Sequence, residues 1–106
     1  MHDGTVMSPT LEEIIKAYCA DFERRARVIT EKNAPYNVIM EYRFLNYRIF
    51  CAASEAGGYR NALGFIRDIG SGTGYAKSQL SAMSESVYKI RKREVKLNIA
   101  RRLSLL

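Results

Sequence analysis

Asn37-Val-Ile-Met-Glu-Tyr-Arg-Phe-Leu-Asn-Tyr-Arg-Ile-Phe-Cys-Ala-Ala-Ser-Glu55 is the stretch whose reading decides the fold. Its apolar residues are Val38, Ile39, Met40, Tyr42, Phe44, Leu45, Tyr47, Ile49, Phe50, Ala52 and Ala53. They do not alternate with polar residues as a half-buried strand requires, and the run is longer than a typical strand. The spacing predicts a helix, capped by Asn37, running to about Glu55 and stopped by Gly57-Gly58. A helix apolar on most sides is either central in the core or shared with a second subunit. In a chain of 106 residues both can hold.

Working outward, the N-terminal side carries a second helical pattern. Thr10-Leu-Glu-Glu13 reads as a capping box, followed by Leu11, Ile14, Ile15, Tyr18, Cys19, Phe22, Ala26 and Ile29 at helical spacing. Glu12, Lys16, Glu23, Arg24 and Arg27 fall on the opposite face. This helix is predicted over Leu11–Thr30, ending before Asn33-Ala-Pro35 because proline disfavours the α region at the residue before it.

On the C-terminal side, Tyr59, Ala62, Leu63, Phe65, Ile66 and Ile69 make a shorter helix that Gly64 weakens. Asp68-Ile-Gly-Ser-Gly-Thr-Gly74 then breaks the pattern. A short fourth helix is predicted over Tyr75–Ala82, and Ser84 or Ser86 caps a fifth that continues to the end. Strand-like alternation is scarce, so the expectation is an all-α chain of about five helices forming a single domain over 1–106.

Composition narrows the function classes. With 47% hydrophobic and 26% charged residues the chain is ordinary globular material, long enough for one core without metal or disulfide support. No apolar run approaches the ~20 residues that span a bilayer, so no membrane partner is expected. Met1-His-Asp-Gly-Thr-Val-Met-Ser-Pro9 lacks the charged and apolar regions of a signal peptide, which makes the cytoplasm the expected compartment. Cys19 and Cys51 each sit in an apolar helical pattern and read as buried thiols. The single histidine, His2, leaves no Ser-His-Asp triad, Cys-His nucleophile or His-rich zinc site. The carboxylates Glu12, Glu13, Asp21, Glu23 and Glu31 lie on a solvated face, so no acid–base pair is assigned. The chain is expected not to be an enzyme, with no catalytic, metal or cofactor-binding residues.

Charge is distributed unevenly. Ser84–Leu103 holds seven of the seventeen Lys/Arg residues against two acids, Glu85 and Glu94, whereas ten basic and nine acidic residues share the rest. A nearly neutral body with a basic final helix points to an anionic partner, and for a small protein nucleic acid is the commonest. Tyr42, Tyr47, Tyr59 and Tyr75 interleave with Arg43, Arg48 and Arg60, a pattern able to stack single-stranded bases, although aromatics at helical spacing are more often core.

Asp68–Gly74 resembles motif I of class I methyltransferases, Asp-x-Gly-x-Gly-x-Gly, which implies a backbone cradle for S-adenosylmethionine. Size argues against that fold. Only 32 residues follow the loop, too few for the several βα units of a doubly wound domain, and the residues upstream have helical period. A glycine-rich turn between two helices fits better, and no P-loop lysine follows it.

Tyr75-Ala-Lys-Ser-Gln-Leu-Ser-Ala-Met-Ser-Glu-Ser-Val-Tyr-Lys-Ile-Arg-Lys-Arg-Glu-Val95 resembles the helix-turn-helix of sigma-factor region 4, closest to phage transcriptional regulators of the ArpU/RinA type. The resemblance covers about a quarter of the chain, within a unit over 74–103. Ser84-Glu-Ser-Val-Tyr88 matches the start of the recognition helix, Met83 the residue that plugs the turn, and Tyr88, Val95 and Ile99 the positions facing the core. Ala82 stands where the turn glycine is common, and Lys77 and Ser81 where the first motif helix holds aliphatic residues. The resemblance implies a small transcriptional regulator, phage or mobile-element encoded, binding double-stranded DNA with this helix. The residues expected at DNA are Ser84, Glu85, Ser86, Tyr88, Lys89, Arg91, Lys92, Arg93 and Lys96. Serines at a helix start can donate to phosphate, Arg93 can take guanine bidentately, and Glu85 can accept from cytosine.

The final helix also carries two apolar strips, one of Tyr88, Val95, Ile99, Leu103 and Leu106, the other of Ile90, Leu97 and Ala100. One should dock on the body. The other, with the apolar second helix, points to a homodimer, unless both are core. A competing class is a protein-binding inhibitor or adaptor that applies the same basic helix to an acidic partner. A plain solvated charged helix is the third possibility.

Overall fold

A computed structural model describes residues 7–106; His2 lies outside them. The described chain is all-α, with five α-helices and two 3-10 turns. These are α1 (Pro9–Ala20), α2 (Phe22–Ile29), α3 (Tyr36–Gly57), α4 (Ala62–Ser71) and α5 (Glu85–Arg102), with the 3-10 turns at Tyr59–Asn61 and Tyr75–Lys77. The all-α class is as expected, but the five helices are not the five expected: the first is split in two and the fourth does not form.

The first difference is the N-terminal helix, which begins earlier and breaks in the middle. Ser8, not Thr10, is its N-cap: the Ser8 hydroxyl accepts from the Leu11 amide at 3.1 Å, and Pro9 occupies the first helical position, where its missing N–H is no loss. At Asp21 the backbone leaves helical values (φ −90°, ψ −2°) and α2 sets off afresh. Arg25 makes the break permanent. Buried among the helices, its guanidinium donates to the Tyr18 carbonyl at the break, to Asn46 Oδ1 of α3 at 2.7 Å and to Asp21 Oδ2 at 3.2 Å. Asn46 returns a bond from Nδ2 to the Phe22 carbonyl at 3.1 Å. Arg25 therefore takes the inward position, and Ala26, expected in the core, is exposed.

The second difference lies between α4 and α5. No short fourth α-helix forms over 75–82: one 3-10 turn is followed by irregular turns. Ser78 explains this. It is buried in an extended conformation (φ −76°, ψ 147°), its hydroxyl donates to Asp68 Oδ2 and accepts from the Leu80 amide at 3.0 Å. A serine that bonds its own backbone two residues on competes directly with the helical ladder.

Helix α3 begins one residue before the expected cap, with Pro35 (φ −60°, ψ 140°) in the cap position and Asn37 inside the first turn. It packs along α2, α4 and α5. The core cluster is built from Ile15 and Cys19 of α1, Ile49, Ala52 and Ala53 of α3, Ala62, Phe65, Ile66 and Ile69 of α4, and Tyr88, Val95, Ile99 and Ala100 of α5. Helices α1 and α4 meet at Gly70, where a Cβ would lie 2.6 Å from the Ala20 backbone nitrogen. Only glycine permits that approach.

Candidate nucleic-acid interface

Two structural devices position α5. The first is its N-terminus. Ser84 caps it, with the hydroxyl accepting from the Val87 amide at 3.3 Å, and Glu85 stands in the first turn where the helix dipole favours an acid. The second is a tether between the early turns of α5 and the glycine loop. Tyr88 is only 1% exposed; its ring stacks on Phe65 at 5.7 Å between centroids and meets Tyr75 at 5.4 Å. The Tyr88 hydroxyl donates to Asp68 Oδ2 at 2.9 Å. Lys92 Nζ donates to the Thr73 carbonyl at 2.7 Å and lies 5.4 Å from the Tyr88 ring centroid.

The loop is shaped to receive these groups. Gly72 adopts a left-handed conformation (φ 72°), with Gly72 N–H donating to the Ile69 carbonyl and Thr73 N–H to the Asp68 carbonyl at 3.0 Å. This is the Schellman ending of α4. Lys92 meets a carbonyl just beyond a helix C-terminus, the end that favours cations. Asp68 itself belongs to α4, and its carboxylate is buried and occupied by two hydroxyls. The glycine loop thus ends one helix and holds another.

The tether shifts proton equilibria. Burial, then the bond to Asp68, pushes the Tyr88 phenol up to about 12. Burial, then the neighbouring charge of Lys96, holds the Lys92 ammonium below its usual range, and Asp68 opposes that shift.

The tether divides the expected DNA-contacting residues into two groups. Glu85, Ser86, Lys89 and Arg93 recur at helical spacing along one exposed side of the first three turns, with Ser84 at their head and Arg91 exposed on another flank. Tyr88, Lys92 and Lys96 contact the body instead, although Lys92 and Lys96 follow Glu85 and Lys89 by seven residues on nearly the same side of the helix. Tyr88 belongs to the core, Lys92 is engaged with the loop, and Lys96, 26% exposed, lies 3.5 Å from Glu12 of α1. These three are corrected from groove-facing to body-facing. Lys89 lies 2.9 Å from Glu85 on the exposed side. Surface pairs of this kind contribute only about 0.3–0.5 kcal/mol, so the ammonium is available to a phosphate.

No family model, curated protein or solved structure matches the chain.

The two apolar strips of α5 have separate fates. Tyr88, Val95 and Ile99 enter the core as expected; in the second strip Leu97 and Ala100 are buried while Ile90 remains 59% exposed. Met83 packs half-buried against the core, and its carbonyl accepts from the Tyr75 hydroxyl at 2.8 Å. Asp68, Ser78 and Thr73 are the positioning residues that sequence reasoning missed. The available signal was an acid beside the apolar stripe of Phe65, Ile66 and Ile69.

Elsewhere, a groove of about 550 Å³ between α1, α2 and α4 is lined by Cys19, Phe22, Leu63, Ile66 and Arg67 among others. Burial pushes its Cys19 thiol up to about 12, which leaves little thiolate for nucleophilic chemistry at neutral pH. Cys51 is half-buried, and neither cysteine is in a disulfide. Among the described residues no group of three or more His, Cys, Asp or Glu is placed to hold a metal, and no helix is long and apolar enough to cross a membrane.

Proposed function

We propose that this chain is a small DNA-binding regulator that presents the first three turns of α5 to duplex DNA. A single observation carries the reading: Ser86, Lys89 and Arg93 share an exposed side of a capped helix start, while Tyr88 and Lys92 fix the adjoining side to the body. A helix so held can enter a major groove by its N-terminal turns, which is how recognition helices present base-contacting side chains. Lys89 meets phosphate, and Arg93 reaches either phosphate or a guanine edge. The basic surplus of this segment supplies the long-range attraction.

The test is fluorescence anisotropy on labelled duplexes at rising salt. Affinity falls steeply with salt, Lys89→Ala weakens binding about equally on all sequences and lowers the salt slope by about one, and Arg93→Ala also relaxes sequence preference. Absence of binding to any duplex at low salt rejects the proposal.

Ile90 favours a second reading. A side chain 59% exposed between Lys89 and Arg91 suits a partner protein with an acidic rim and an apolar centre better than it suits phosphates. In that case the chain is an inhibitor or adaptor. Its complex then survives nuclease and high salt in a pull-down, and Ile90→Ser weakens it more than Lys89→Ala does.

A further inference from the structure

Helix α3 buries one face and leaves the other bare. Tyr36, Phe44 and Tyr47 are 76%, 61% and 67% exposed, with Met40 and Cys51 half-buried in line with them. Spacings of four, four, three and four residues place these five side chains in a single stripe, about 22 Å long at the rise of a helix. Arg43 lies along one flank, and Glu41 and Arg48 along the other; α3 contains no lysine. Aromatics, methionine and arginine without lysine are the composition of a protein interface core.

We propose that this stripe docks on the same stripe of a second copy of the chain, antiparallel, with the two-fold axis near Phe44. Area supports a second copy as occupant. At roughly 200 Å² per aromatic side chain, the exposed fractions leave about 400 Å² of ring surface on each copy, or about 800 Å² in the pair. Met40, Cys51 and the arginine stems carry the total to the roughly 1,000 Å² that a specific interface needs.

Charge sets the direction. In a parallel pair the flanks meet five residues out of step, so Arg43 of each copy faces Arg48 of the other, two like-charge contacts. In the antiparallel pair each Arg48 approaches Glu41 of the other copy, two complementary contacts against one approach of the Arg43 side chains. The α5 turns carrying Lys89 and Arg93 lie beyond the C-terminal end of α3, because Val95 packs beside Gly57 and Asn98 Nδ2 donates to the Ala52 carbonyl. The antiparallel pair therefore carries its two basic helix starts to opposite ends. The stripe does not depend on the DNA-binding reading, which Lys89 and Arg93 test separately.

Sedimentation equilibrium and light scattering of the full chain at high micromolar concentration test the interface. The expected result is a dimer that Phe44→Glu or Tyr47→Glu weakens about thirtyfold or more. Both side chains are largely exposed, so circular dichroism and the thermal transition should be unchanged. Direction is read by oxidative cross-linking: Tyr36→Cys forms an intermolecular disulfide with Cys51, which the antiparallel register places opposite it. A monomer, or a dimer indifferent to both glutamates, overturns the proposal. So does a monomer whose single-stranded oligonucleotide binding is lost in Phe44→Glu, which assigns the rings to base stacking. Cross-linking of Cys51 to Cys51 in the unaltered chain overturns the antiparallel direction.

Discussion

Among the described residues an arginine and an aspartate are buried, and they are held in opposite ways. Arg25, at the junction of α1, α2 and α3, has a counter-ion in Asp21 and neutral acceptors in the Tyr18 carbonyl and Asn46. Asp68, between α4 and α5, is held by two hydroxyls, those of Ser78 and Tyr88. The first cluster closes a break in a helix and joins three elements of the body. The second fixes the helix proposed to meet DNA. The comparison separates what makes the chain fold from what aims its basic helix, and substitutions in the two clusters should have different readouts.

The largest effect is expected at Arg25. Arg25→Met fills much of the same volume but leaves the Tyr18 carbonyl and Asn46 Oδ1 without their donor in a buried site. Each unsatisfied group costs about 1–3 kcal/mol, so a loss of about 2–4 kcal/mol is expected in urea unfolding. Duplex affinity per folded molecule should not change. A drop in affinity at full foldedness would show that the two clusters are not separable.

Asp68→Ala comes next. It leaves the Ser78 hydroxyl without its acceptor and Tyr88 with only the longer bond to the Thr73 carbonyl at 3.3 Å, for about 1–3 kcal/mol. Its distinctive readout is local: hydrogen exchange should accelerate in the first turns of α5, and duplex binding should weaken although Lys89 and Arg93 are untouched. Asp68→Asn keeps an acceptor oxygen for Tyr88 and should recover part of both. Equal loss of stability with unchanged binding would make Asp68 an ordinary core residue.

The helices were more legible in the sequence than the two clusters that hold them. Helix α3 could be read from its own residues, since Val38 to Ala53 carry the helical pattern and Gly57-Gly58 the stop. The α5 start was legible for the same reason, through the Ser84 cap. Both buried charges escaped because their partners are distant in sequence or belong to the backbone. Arg25 is turned inward by Asn46, 21 residues on, and by a carbonyl that only the break exposes. Ser78 is turned out of a helix by Asp68, ten residues back. Charge alone also could not say that Lys92 serves the loop, since a lysine facing Thr73 and one facing phosphate have the same sequence signature.

Alkaline pH sharpens the Asp68 side of the comparison. With the Tyr88 phenol pushed up to about 12 from 10.0, both folded and unfolded chains hold the proton below pH 10. Between pH 10 and about 12 the unfolded chain has released it and the folded chain has not, so the contribution of Tyr88 falls as pH rises through that window. Lys92 acts in the opposite sense. Its folded pKa is depressed, so its contribution is complete above pH 10.5 and is lost as pH falls through the folded value. Tyr88→Phe should cost about 1 kcal/mol near neutrality and flatten the alkaline decline in urea titrations at pH 9, 10 and 11. An unchanged decline would place the titrating group elsewhere.

The smallest effect on stability, at Glu85, gives the baseline for the others because it touches neither cluster. Glu85→Gln removes an exposed pair with Lys89 and should move stability by no more than about 0.5 kcal/mol. Its effect on binding depends on what Glu85 does at the DNA. If the carboxylate merely neutralises Lys89 and repels phosphate, the glutamine variant should bind every duplex a few-fold more tightly and with a steeper salt slope. If Glu85 accepts from a cytosine amine, affinity should fall on cytosine-bearing sites alone, because a base contact discriminates where a phosphate contact does not. A uniform gain makes α5 an electrostatic grip; a selective loss makes it a reader of sequence.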